Sequence, residues 1–295
     1  MDVSIIIVNY NTSKLLEECI SSVLTKTKNL EFEIIVVDNS SVDDSVNVMR
    51  TRFPKVKLIE SKDNLGFGRA NNVGATIAKG KYLFFLNTDT LLINNAIKIL
   101  FDFMEKEENQ DVGACGGNLF KKDLSPNFSY SLHFPSLWSH FCYRGHLSSF
   151  VNNENFNETG MVKDVAIIIG ADLFVRRNLF EKIGGFDPNF FMYVEDTDLL
   201  YRIKQNKYRT VSHPDAKIIH IQGASSVNIF KLETEISSYI LYFRKHSNSI
   251  TLKIYLIIEL FFLLAKSIIL LISNRKGDGL EYFSLARHLF KLKSF

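Results

Sequence analysis

Apolar and polar positions follow two periods along the first ninety residues. Residues 3–8 (VSIIIV) form a short apolar run of the kind a strand buried on both faces requires. Beyond it, Leu15, Leu16, Cys19, Ile20 and Val23 recur at helical spacing, so residues 13–24 are predicted to form an amphipathic helix. Apolar runs return at 32–37, 56–59 and 82–86, with helical patterns opening near Asp43 and Phe67. This alternation predicts βαβαβαβ and a mostly parallel sheet with helices on its faces. Such sheets take ligands at the carboxyl ends of their strands. Those ends carry Asn9-Tyr10-Asn11, Asp38-Asn39-Ser40 and Asn87-Thr88-Asp89.

From about 120 to 163 the pattern gives way to aromatic, Ser/Asn-rich sequence containing His133, Trp138, His140 and His146, which reads as a long, partly helical excursion. Strands are predicted again at 165–169 and 172–175, then a short helix to Ile183 and a Gly184-Gly185-Phe186-Asp187-Pro188 turn. A helix opens near Glu195, strands follow at 208–212 and 217–221, and the remainder is helical.

Composition narrows the class. With 295 residues, 46% of them apolar and 23% charged, the chain is long enough for a full core and is neither disordered nor collagenous. Cys19, Cys115 and Cys142 lie far apart without a CxxC, which argues against a disulfide framework or a cysteine-only zinc site and for a reducing compartment. The start, with Asp2 and a short apolar run, lacks the pattern of a secretory signal, so a cytoplasmic location is expected. A net charge of +3 does not describe a general nucleic-acid binder. The charge is unevenly spread: from Tyr239 onward nine Lys/Arg oppose three acids, +6, so the preceding residues sum to −3. A basic, apolar tail therefore follows a slightly acidic body, with a boundary near residue 230.

Four places carry candidate chemistry. Gly66-Phe67-Gly68-Arg69-Ala70-Asn71 lies where a dinucleotide fold puts its glycine fingerprint, but Asn71 stands in the third position; both a tight turn and an anion-binding helix start, with Arg69, Asn71 and Asn72, are open readings. Asp38 and Asp89 end two strands, where acids serve as turn formers or, together, hold a nucleoside and a hard cation. Asn87-Thr88-Asp89-Thr90 offers one carboxylate and neutral oxygens, suiting Mg²⁺ or Mn²⁺ better than zinc. Glu195, Asp196 and Asp198 open a helix, more acids than capping needs, and one can serve as a general base. His220, ending a strand, is a candidate metal ligand by its company.

These segments, in order, resemble the family-2 inverting glycosyltransferases, and within them the bacterial rhamnosyltransferase-like branch that builds surface polysaccharides. The resemblance runs from Val3-Ser4-Ile5-Ile6-Ile7-Val8-Asn9-Tyr10-Asn11 through Val37-Asp38-Asn39-Ser40-Ser41, Asn64-Leu65-Gly66 and Leu86-Asn87-Thr88-Asp89 to Gly170-Ala171, Gly184-Gly185-Phe186-Asp187, Glu195-Asp196-Thr197-Asp198 and His220-Ile221-Gln222-Gly223-Ala224-Ser225. It implies a GT-A fold (Rossmann-like α/β, a mostly parallel central sheet with flanking helices) over 1–229, with a nucleotide-sugar half to about 119, an acceptor half to 229, and a helical tail at 230–295. It implies a nucleotide-sugar donor, such as dTDP-rhamnose or a UDP-sugar, held by Asn9, Tyr10 and Asp38 with Asn64, Arg69 and Thr88 nearby. The implied acceptor is a glycan or lipid-linked oligosaccharide. It further implies Asp196 as base, Glu195 and Asp198 in support, and Mg²⁺ or Mn²⁺ at Asp89 and His220, with Asn87 in place of the first acid of an Asp-x-Asp motif. A nucleotidyltransferase would carry a glycine-rich loop after its first strand, and Asn9-Tyr10-Asn11-Thr12-Ser13-Lys14 has no glycine. A non-catalytic carbohydrate-binding protein on the same fold would not need Asp89, Glu195, Asp196 and His220 together.

The tail contains a 19-residue stretch, 254–272, in which 14 residues are Ile, Leu or Phe. Insertion of these is worth about −4 to −8 kcal/mol, while Glu259 and Lys266 together oppose it by up to about 5–7 kcal/mol. Tyr255, Glu259, Phe262, Lys266 and Ser273 map to one stripe. The near-zero sum and the basic flanks predict peripheral, in-plane attachment to the inner face of the cytoplasmic membrane; a core helix or a homo-oligomer interface is the competing reading.

Overall fold

The computed structural model describes residues 1–147, 150–151, 154–221, 229–273 and 275–292, without the side chains of the last two. Contacts divide the chain into two units. One comprises Met1–Phe134, Glu154–Phe191 and Glu195–Gly223; the other comprises Pro135–Asn153, Met192–Val194 and Ala224–Phe295.

The first unit begins with the expected alternation. β1 (Val3–Asn9), α1 (Ser13–Lys26), β2 (Phe32–Asp38), α2 (Ser45–Arg52), β3 (Lys57–Glu60), α3 (Phe67–Thr76) and β4 (Tyr82–Asn87) follow in order. β1 pairs in parallel with β2 on one side and β4 on the other, and β2 pairs in parallel with β3. Ile5 and Ile7 of β1 enter one apolar cluster with Leu16, Cys19, Ile20 and Val23 of α1, while Ile6 enters a second cluster on the opposite face. A strand buried on both faces has no polar side to present, which is why its sequence is an unbroken apolar run. The chain leaves β1 toward β2 and β3, then returns to β4 on the other side, a reversal of strand order of the kind at whose carboxyl ends open α/β sheets take ligands.

The sheet continues with β5 (Thr90–Leu92), β6 (Val112–Phe120), β8 (Lys163–Val165), β10 (Asp172–Arg176) and β11 (Arg209–His220), giving the order β3-β2-β1-β4-β10-β6-β11-β5 with β8 also on β11. β10 is antiparallel to β4 and β6, and β11 is parallel to β6 but antiparallel to β5. α4 (Ala96–Glu105), α6 (Arg177–Lys182) and α7 (Glu195–Gln205) complete the layers, and β7 (Tyr130–Ser131) pairs with β9 (Ile167–Ile168) in a small second sheet. Where the sequence predicts two strands at 208–212 and 217–221, there is one strand with a register shift between Ser212 and Lys217. The predicted strand at 165–169 is instead split between β8 and β9, in different sheets.

The second unit is helical: α5 (Leu137–Arg144), α8 (Ile229–His246), α9 (Ser249–Ile272) and α10 (Lys276–Leu292). Ser136 caps α5 in a reciprocal capping box with Ser139, and Asn248 caps α9 through Thr251 N–H. Glu259, only 1% exposed in the middle of α9, accepts from Arg144 Nη2 at 2.8 Å and from Tyr255 Oη at 3.2 Å, and it pairs with His140 Nε2 at 2.5 Å. Ser267 Oγ donates to the Gly279 carbonyl at 2.7 Å, drawing α10 onto α9. The inward line of α9 therefore runs Tyr255, Glu259, Leu263, Ser267, Leu270, whereas Lys266 and Ser273, which the sequence reading put on that line, are exposed. Packing against α10 selects Ser267 because its hydroxyl has a carbonyl to meet.

Candidate active site

At the ends of β1 and β2, side chains knit the loops together. Asn9 is fully buried; its Nδ2 donates to Asp38 Oδ1 at 2.8 Å and to Ser41 Oγ at 3.0 Å, and its Oδ1 accepts from Thr12 Oγ1 at 2.8 Å. Thr12 in turn meets Thr88 Oγ1 at 3.2 Å, joining the β1 loop to the end of β4. Asp38 Oδ2 accepts the Ser41 N–H at 2.9 Å. Asn9 is thus spent on orienting Asp38, while Tyr10 is half exposed beside it. Asn11 and Ser40 adopt left-handed backbone, φ 54° and 67°, which turns both loops sharply at the strand ends. Asn39, to which the sequence reading gave no separate role, organises the third loop: its Nδ2 donates to the Gly66 carbonyl at 2.9 Å and to Asn64 Oδ1 at 3.2 Å, and its Oδ1 accepts the Leu65 N–H.

The glycine motif serves first as a docking point. Gly66 has φ +78°, and a Cβ there would stand 1.9 Å from the Phe191 carbonyl oxygen. That carbonyl accepts the Phe67 N–H at 3.1 Å, so the first donor of α3 is already engaged. Asn72 spends its amide on the Phe186 backbone at 2.7 and 2.9 Å. Arg69 is different: its guanidinium lies 5.9 Å from the centroid of the Phe191 ring, and its buried Nε has no hydrogen-bond partner among the described residues.

Asp89 sits in the turn between β4 and β5, and its backbone carbonyl accepts the Ile221 N–H at 2.7 Å. Because His220 lies opposite Thr90 in the β11–β5 register, the two candidate metal ligands are brought together, His220 Nε2 3.4 Å from Asp89 Oδ1. His220 Nδ1 is buried without a partner among the described residues. One carboxylate and one imidazole make a two-ligand set, and no group of three or more His, Cys, Asp or Glu suited to a metal exists among the described residues. Such a set fits a cation whose other positions are filled by phosphate oxygens and water.

The three acids of α7 have three environments. Asp198 is fully buried in an ion pair with Arg202 at 2.8 Å, and Arg202 also donates to the Ile183 and Gly185 carbonyls, fixing the Gly184-Gly185 turn. Glu195 is buried with Oε2 unpartnered among the described residues; burial, and then the Asp196 charge, push its carboxyl up to about 8. Asp196 is raised by burial too, but accepts the Gly170 N–H at 2.9 Å and the Thr197 N–H at 2.6 Å, bonds that favour its ionised form. The backbone entering α7 is strained: Tyr193 and Val194 are consecutive left-handed residues, φ 68° and 66°, and Val194 is β-branched.

Gly170 and Ala171 join α7 to the strand ends. Gly170 donates to Asp196, and the next carbonyl, Ala171 O, accepts the Asn87 N–H at 3.0 Å. Two residues of backbone plus two hydrogen bonds put the Asp196 carboxylate within roughly 12 Å of Asn87 N. The three cysteines are buried and free of disulfides, and burial pushes the Cys19 thiol up to about 12 and the Cys115 thiol well above its ordinary value, away from the thiolate a nucleophile needs. Of the late motif, Gln222, Gly223, Ala224 and Ser225 lie outside the described residues.

A mixed, mostly parallel sheet with loops converging on paired acids defines a GT-A glycosyltransferase fold, and solved structures agree. GalNAc-T7 with UDP, GalNAc and Mn²⁺ superposes with a TM-score of 0.62 at 16% identity, covering 83% of this chain and 48% of its own. The mannosyltransferase PcManGT from Pyrobaculum calidifontis, in complex with GDP-Man and Mn²⁺, does so at 0.58 and 17% identity, covering 98% and 74%. Residues 4–184 match Glycosyl transferase family 2, and the chain belongs to that family. It is 26% identical over 243 residues to the N-acetylglucosaminyl-diphospho-decaprenol L-rhamnosyltransferase of Mycobacterium tuberculosis, covering 75% of this chain and 76% of the relative. It is also 25% identical over 226 residues to the O-antigen biosynthesis protein RfbC of Myxococcus xanthus, 76% of this chain but 17% of that longer protein.

Proposed function

We propose that the chain is an inverting glycosyltransferase that moves a sugar, rhamnose from dTDP-rhamnose or the sugar of a UDP-sugar, onto a hydroxyl of a glycan or lipid-linked oligosaccharide in surface polysaccharide synthesis. In this reading residues 1–119 serve the nucleotide sugar and 120–229 the acceptor. Asp38, oriented by Asn9, and Tyr10 hold the nucleoside, with Asn64, Thr88 and Arg69 toward the diphosphate. Asp196 accepts the proton of the acceptor hydroxyl, whose oxygen attacks the anomeric carbon opposite the departing nucleoside diphosphate. Asp198 fixes the turn that packs beside α7, and Glu195, kept neutral by burial, leaves Asp196 as the ionised member of the pair. Asp89 and His220 would hold Mg²⁺ or Mn²⁺, which when bound supplies positive charge to a diphosphate. The tail, residues 230–295, attaches the protein peripherally to the inner face of the cytoplasmic membrane, where a lipid-linked acceptor is available.

The observation that carries this reading is the Gly170-Ala171 bridge, which ties Asp196 to the strand end bearing Asp89. A nucleoside-diphosphate release assay across UDP-, dTDP- and GDP-sugars tests it. One donor is expected to turn over with inversion at the anomeric carbon, and turnover is lost in EDTA and in Asp89→Ala. Release that persists unchanged in both removes the metal, and product of retained configuration removes the mechanism.

A further inference from the structure

The helical unit exposes apolar side chains in an ordered way. On α9, Ile254, Ile257, Phe261, Ile268 and Ile272 point outward at spacings of three, four, seven and four, one face of a helix, and Phe261 is 59% and Ile272 81% exposed. The face does not stop at α9. Phe261 packs edge-on against Phe262 at 5.2 Å between centroids, Phe262 meets Phe141 of α5 at 5.4 Å, and Phe141 stacks with Trp138 at 6.2 Å. The ladder ends on an indole that is 60% exposed. Aromatic rings with one wet end favour the headgroup region of a bilayer.

Three occupants compete for such a face, and charge and packing choose among them. Exposed Lys253 and Lys266 lie on α9, whose acid Glu259 is turned inward; Arg275 is paired with Asp278, and Lys276 and Arg287 stand with exposed Glu281 on α10, so the exposed charge of the two helices is positive on balance. A two-fold dimer would bring this positive excess against its own copy, whereas anionic headgroups complement it. At 24 residues α9 is about 36 Å long, enough to cross a bilayer. Its inner side, however, is bonded to His140 and Arg144 of α5 and to the Gly279 carbonyl of α10. Crossing would draw these polar helices into hydrocarbon or leave Glu259 without partners there.

We propose that the outward face of α9, continued by the aromatic ladder to Trp138 on α5, lies in the headgroup–acyl boundary of an anionic bilayer with α9 parallel to its plane. This deepens the membrane attachment proposed above and rests on it. Trp138 is the single tryptophan of the chain, so the native fluorescence reports one rung of this surface. With phosphatidylglycerol/phosphatidylcholine vesicles its emission should shift to the blue. Quenching should be stronger by lipids brominated near the headgroup than by lipids brominated at the chain ends. I257E/F261E, on solvent-facing positions, should keep the melting temperature and donor turnover while lowering vesicle partitioning at least roughly tenfold. Cosedimentation without a tryptophan shift keeps membrane attachment but overturns this face. No cosedimentation overturns both, and the release assay stands apart from either. Equal partitioning of the variant, deepest-bromine quenching with carbonate resistance, or a dimer that the variant dissolves each overturns the proposal.

Discussion

At the scale of single residues, the site rests on two adjacent carboxyls driven apart by their bonds. Asp196 has two backbone N–H donors and Glu195 has an oxygen with no partner among the described residues, so the same burial leaves one ready to ionise and the other protonated. Asp196→Asn is expected to lower turnover roughly 10²–10⁴-fold while donor binding persists, checked by release kinetics and calorimetry. The pH dependence of stability reads the burial of both carboxyls, since each is raised in the folded state. Between its ordinary 4.5 and about 8, Glu195 holds a proton in the folded state that the unfolded chain has released, so stability falls as pH rises through that window. Glu195→Gln should flatten that fall, read as melting temperature against pH. The acids were legible in sequence because three in four positions exceed what a helix start needs. The work of Asn39 was not, since a loop asparagine announces neither its partners nor the loop it will reach, and the Asp89–His220 pairing depends on a strand register spanning 130 residues of chain.

Elements were legible where a hydrophobic period existed. The first four strands and three helices were predicted because each is either an apolar run or a striped helix. β6 was not, for its sequence VGACGGNLF carries three glycines and no such run. Packing explains them: a Cβ on Gly117 would stand 2.3 Å from the Ala216 carbonyl oxygen, so close strand approach excludes the side chains that signal a strand. The same reasoning makes Gly66→Ala costly, about 2–4 kcal/mol from its left-handed backbone and the collision with Phe191, measured by denaturant titration. Gly160→Ala shares the positive φ but has nothing within 4 Å and should cost only about 1–2 kcal/mol. In the helical unit, Glu259→Ala would strand Arg144 and His140 without their carboxylate and is expected to cost about 3–5 kcal/mol.

At the scale of the whole molecule, the sheet is not built in the order in which it is made. The family and its fold were legible because the motifs occur in sequence order, but the strand order β4-β10-β6-β11-β5 was not, since nothing local says that β6 waits for strands much later in the chain. That wait has a kinetic cost on the ribosome. β6 ends at Phe120, its partners β10 and β11 end at Arg176 and His220, and among the described residues β5 pairs with β11 alone. At about 5–20 residues per second, a nascent chain spends roughly 5–20 s with β5 and β6 synthesised and the last partner missing. During that interval an unpaired strand edge is offered to other chains, so recovery of native protein is expected to depend on the speed of synthesis and the supply of holdase chaperones as well as on the stability of the finished fold.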